Sequence, residues 1–258
     1  MNDLITQMNA LTGIGADLLW LGLLVFMRVG SAMSLLPAFG EQAVPQRVRV
    51  VLALAFTAVV APALQIAPDP AEAGVLPLLI EVVIGLMLGV GLRLFILALQ
   101  TAGAMAAQAT TLSQMFGDAG PEPQPAIANL LVMAGLAIAV ATGLHVRVAE
   151  LLILSYQILP AGQLPGSADA AHWGLSQISH MFSLAFRLAA PFTIAALLYN
   201  IALGIINRAM PALMVSMIGA PALTAGGLVL MVLSVPLALA LWAQALHGFL
   251  AAPFQALP

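Results

Sequence analysis

The chain has 258 residues, 62% of them hydrophobic and only 7% charged, with a mean hydropathy of +1.09 and a formal net charge of −3. A soluble domain carries about a quarter charged residues, and a chain this apolar cannot cover its own surface with polar groups, so the class is integral membrane protein. The negative net charge argues against a nucleic-acid partner. The absence of cysteine excludes a disulfide framework and a thiolate metal site, and the seven basic residues, all arginine, form no polybasic lipid-binding cluster.

In chain order, the amino terminus carries Asp3 where a signal peptide has a basic region, and the apolar run that follows is long. No cleavable signal is expected, and the first span stays in the mature protein. Six apolar segments cover residues 11–36, 48–66, 75–107, 126–158, 177–206 and 211–250. The runs are continuous rather than alternating, which points to helices and excludes a β-barrel. A bilayer crossing needs about 20 apolar residues, and several segments exceed that, so six to eight helices are expected. Pro221 and Pro236 interrupt the last segment, making it a single bent helix or a tight hairpin. The connectors, 37–49, 67–74, 112–125 and 159–173, are short and rich in proline and glycine. None holds a soluble domain, so residues 1–258 are expected to form one membrane-embedded unit. Arg47 and Arg49 favour the cytoplasmic side for the first connector, while the second has no positive charge.

Charges occur where lipid would reject them. Arg28, Glu81, Arg93, Glu150, Arg187 and Arg208 lie within or at the ends of apolar segments, at a cost of about 2.5–3.5 kcal/mol for each centred charge. Arg147 and Glu150, three apart, can pair on one helix. Glu81 and Arg93, twelve apart, stand about 18 Å apart along a helix axis and cannot. Arg28, Arg93, Arg187 and Arg208 have no acid within a helical turn. Snorkelling to the interface is the default for the first three; the alternatives are other helices, other chains or water. Arg208 is different, because Asn200 and Asn207 share a helix face beside it and make a polar stripe. Pro211, Gly219 and Pro221 then break the backbone just beyond. Broken helices beside polar side chains mark a transport pathway or an assembly interface. Gly85 and Gly89 form a small-xxx-small pair suited to close helix packing. The four histidines are scattered without metal-ligand spacing, and no catalytic constellation or cofactor motif is present, so neither an enzyme nor a cofactor is expected.

Four stretches together resemble one family, the flagellar biosynthetic FliR proteins and their relatives in virulence type III secretion. They are "MRVGSAMSLLPAFGEQAVPQRVRVVLALAFTAVVAP" (27–62), with its Val44-Pro45-x-Arg47-Val48; "EVVIGLMLGVGLRLFILALQTAGAMAAQ" (81–108); "GLHVRVAELLILSYQILPAG" (143–162), a His followed by Ser-x-x-x-Leu-Pro; and "NIALGIINRAMP" (200–211). The resemblance implies a subunit of an export gate, with bent helical hairpins, that joins FliP and FliQ, with FlhB beside them, in a channel for unfolded proteins across the inner membrane of the basal body. It implies that a loop over 110–120 plugs the channel, which falls on Gln114, Met115, Phe116, Gly117 and Asp118. Met115 and Phe116 are bulky enough to seal a narrow pore by contact and dewetting. It also gives Arg208 surroundings of protein and wet lumen, and Pro45, Arg47, Arg49, Asn200, Asn207 and Pro211 polar or interface positions. The sequence departs from the family at Ala212, where Gln is usual, and at Ala119, where proline is usual. A virulence export gate is one alternative. A small-solute secondary transporter using Asn200, Asn207 and Arg208 is another; it would need inverted repeats, and none is detected.

Overall fold

A computed structural model describes residues 2–41, 43–64, 74–110, 126–209 and 215–254. These residues hold seven helices: α1 (Asn2–Leu35), α2 (Gln46–Ala63), α3 (Val75–Thr110), α4 (Ala126–Ala141), α5 (Leu144–Ile158), α6 (Ser167–Ala209) and α7 (Val215–Ala251). Five are long and apolar enough to cross a membrane, and the bent pair α4–α5 makes a sixth candidate. The protein is an all-helical, multi-span membrane protein.

The structure departs from the sequence expectation at element boundaries and decides between the two alternatives for the last segment. The segment read as one run over 126–158 divides at Thr142-Gly143, with a 73° bend between α4 and α5. Gly143 adopts the left-handed conformation (φ 82°) that ends a helix, and the Thr142 hydroxyl donates back to the Ile138 carbonyl. Helix α6 starts at Ser167, ten residues before the expected start at 177. Asp169 lies in its first turn, where an acid is favoured by the helix dipole; the polar composition of "GSADAAHW" alone suggests a connector. The last segment is one helix, α7, running through Pro221 and Pro236.

Helix α3 is the organising element. It packs against α1, α4, α6 and α7, and the row Ile84, Leu88, Leu92 and Ile96, each one turn from the next, is fully buried. In its most apolar stretch 61% of residues are buried within the chain, against 17% for α2, α6 and α7. Glycines let neighbours come close. A Cβ at Gly85 would collide with Ser31 Oγ and the Arg28 carbonyl, and one at Gly89 would lie 2.8 Å from the Ala32 carbonyl, so these two set the α1–α3 crossing. Gly103 does the same against the Ala128 backbone of α4. Trp242 of α7 is fully buried and donates its indole N–H to the Phe95 carbonyl (2.8 Å). Trp173 at the start of α6 donates to the Pro253 carbonyl (2.7 Å), tying α6 to the end of α7.

Candidate functional site

The strongest polar feature is a charge centre inside the helical bundle, built by α1, α3 and the end of α5. Its members are drawn together by the glycine contact just described. Gly85 brings the α1 backbone against α3 at Arg28, and Glu81 stands one turn before Gly85 on the same face. Arg28 and Glu81 are both 0% exposed and pair in a bidentate geometry, Nε to Oε2 at 2.6 Å and Nη2 to Oε1 at 3.0 Å. Arg28 also donates from Nη1 to Ser155 Oγ and from Nη2 to the Leu159 carbonyl, each at 3.0 Å. Glu81 accepts from the Tyr156 hydroxyl (3.0 Å) and from the Gly162 backbone N–H (2.9 Å). The guanidinium lies 3.6 Å from the centroid of the Tyr156 ring, a cation–π contact. The "SYQILPAG" stretch (155–162) thus wraps the pair. Ser155 and Leu159 receive the cation, Tyr156 bridges both charges, and Gly162, at φ 72°, turns the chain so that its N–H meets the carboxylate.

A second centre lies at the connection between α1 and α2. Arg93 of α3 pairs with Glu41 at 2.5 Å, with the side chains 29% and 24% exposed. Arg49, half-buried in the first turn of α2, donates to the Glu41 carbonyl (2.8 Å) and the Val44 carbonyl (3.1 Å). Pro45 occupies the position before α2, with no N–H to leave unsatisfied there, and its carbonyl receives the Val48 and Arg49 N–H groups. Arg49 is therefore a clamp on its own loop, whereas Arg47 and Pro45 are exposed.

Snorkelling, the default for Arg28 and Arg93, is overturned: both find acids within the chain. The partners escape local spacing because they lie 53 and 52 residues away. Arg147 and Glu150 do not pair; the ion pairs among the described residues are the two above. Arg187 is exposed on α6 and has no partner among the described residues. Asn200 and Arg208 are exposed on α6, Arg208 in its last turn. Asn207 is helical, but its side chain, like Pro211 and the loop residues Gln114, Met115, Phe116, Gly117 and Asp118, lies outside the described residues. The sequence reading missed Glu41, Ser155 and Tyr156. A serine and a tyrosine side by side in the apolar run "LLILSYQI" were the available signal.

Fold and site together define a multi-span helical membrane protein that neutralises buried charge internally around α3 and leaves its outer helices largely uncovered. Residues 19–249 match the family described as bacterial export proteins, family 1. The chain belongs to this family. It is 37% identical over 217 residues to the flagellar biosynthetic protein FliR of Caulobacter vibrioides, covering 82% of this chain and 86% of that one. It is 30% identical over 224 residues to the FliR of Escherichia coli (84% and 86% covered) and 27% identical over 207 residues to that of Bacillus subtilis (77% and 80%).

Proposed function

We propose that this chain is a subunit of the flagellar type III protein export gate, forming part of the inner-membrane channel that conducts unfolded flagellar proteins at the basal body. One observation carries the reading: similarity along nearly the whole chain to proteins named for flagellar biosynthesis. The fold supports it physically. Large apolar side chains on α2, α6 and α7 are exposed, and Arg187, Asn200 and Arg208 stand exposed among them. Lipid suits the first group and rejects the second, whereas sister subunits and a wet lumen suit both. The partners are FliP and FliQ in a single hetero-oligomer, with FlhB against it, and the chain acts as one membrane-embedded unit. Arg47, exposed at the start of α2, faces the cytoplasmic mouth. The relatives' flagellar names favour this reading over a virulence export gate.

Co-purification tests the assembly. The tagged chain, extracted in mild detergent, is expected to bring down small apolar subunits in fixed ratio; a homogeneous, folded, lone monomer would refute the reading. The plug role of residues 114–118 has its own test. Deleting Gln114 to Gly117 should raise the leak of ions or small solutes through cells that assemble the complex. Unchanged permeability with intact assembly would remove that role.

A further inference from the structure

We infer that a recess between α6 and α7, built by His180, Arg187 and Gln244, receives an aspartate or glutamate side chain from an apolar helix of a neighbouring subunit. The inference rests on the assembly proposed above and names its chemistry at one place. The recess has a volume of about 210 Å³ and is closed at its sides by Leu184, Leu188, Leu241 and Ala245. His180 and Arg187 are seven residues apart, two turns along one face of α6, so both point to the same side. Gln244 meets them from α7.

Arg187 sits midway along the apolar stretch Ser167–Ile206. A hydrocarbon core takes about 20 helical residues; every window of that length in the stretch, bar the first, contains Arg187. The guanidinium thus stands within the apolar stretch, and no acid meets it among the described residues. The same chain shows what such a cation requires, because Arg28 is met by Glu81 across a helix–helix contact. Charge complementarity therefore calls for a carboxylate. The surface around the recess decides its source. Phe186, Ile194, Leu237 and Leu241 are exposed along α6 and α7 beside it, a surface that fits a packed helix.

The test uses the assembled complex with Arg187 in place. A photoreactive residue is put at Gln244, which is exposed and on the rim, and the adduct is mapped by mass spectrometry. The expected product is a crosslink to an apolar helix of another subunit, within one turn of an Asp or Glu. A lipid adduct, an adduct within this chain's residues 65–73 or 111–125, or no adduct in an intact complex overturns the inference and leaves the export-gate reading standing. Failure of any sister subunit to co-purify overturns both. As a second arm, Arg187→Glu should lower recovered sister subunits on the order of tenfold or more, and changing the mapped acid to Arg should restore them. Unaltered recovery with Arg187→Glu sinks the inference.

Discussion

Arg28 is among the largest side chains in the fold with no exposed surface. Four of its N–H bonds have acceptors: two carboxylate oxygens, a hydroxyl and a carbonyl. This saturation separates a tolerable buried charge from a costly one. Taking two ions from water costs several kcal/mol each, and their attraction offsets that only when the remaining donors and lone pairs are satisfied. Removing one partner should therefore do more harm than removing both. Glu81→Gln is expected to lose about 3–5 kcal/mol, because it strands the guanidinium. Arg28→Met combined with Glu81→Leu should lose less than either single change. Tyr156→Phe keeps the ring over Arg28 and loses only the hydroxyl bond to Glu81, a loss of about 1 kcal/mol. Thermal midpoints of the detergent-solubilised complex give the order, and a double variant worse than both singles would show that the pair is not a compensated unit.

Helices meet where side chains permit it, and here that is a matter of glycines on α3. Gly85 and Gly89 face the α1 backbone, whereas Gly204 on α6 has open space around it. Adding one methyl should read these two environments. Gly85→Ala places a carbon against Ser31 and the Arg28 carbonyl, wedging α1 away from α3 at the point where Arg28 reaches Glu81; about 1–3 kcal/mol of stability should be lost. Gly204→Ala should be neutral or stabilising by up to about 1 kcal/mol, since alanine is the better helix former. Thermal unfolding of the two variants side by side decides the matter, and equal behaviour would contradict the packing. The apolar runs that became α1, α2, α3 and α7 were legible from hydropathy, and the pair Gly85/Gly89 from spacing. The break at Gly143 was not, because one glycine in a run of Leu, Val and Ala is also tolerated inside a helix. The charge centre was half legible. Arg28 and Glu81 stood out as misplaced charges, but Ser155 and the Leu159 carbonyl lie 127 and 131 residues from Arg28, brought there by the packing of α5 and the turn that follows it.

At the scale of the whole molecule the polarity is unevenly resolved. Around α3 the chain satisfies its own charges; along α6 no ion pair forms among the described residues, and Arg208 is the case on which two accounts differ. In the last turn of α6 its cation can complement the helix dipole, a local effect of about 0.3–1 kcal/mol that any basic side chain supplies. At a subunit contact or a wet lumen the planar guanidinium offers a donor fork that lysine lacks. The exposed apolar side chains Ile201, Ile205 and Ile206 just before it favour the contact, because a face of isoleucines closing on a partner takes the arginine with it. Arg208→Leu is therefore expected to reduce both recovered sister subunits and protein export severalfold. Arg208→Lys, which keeps the charge and the dipole term, should recover only part of each. Quantifying co-purified subunits beside secreted flagellar protein in the same cells separates the accounts: full recovery with lysine assigns Arg208 to its own helix end, and partial recovery assigns it to the assembly.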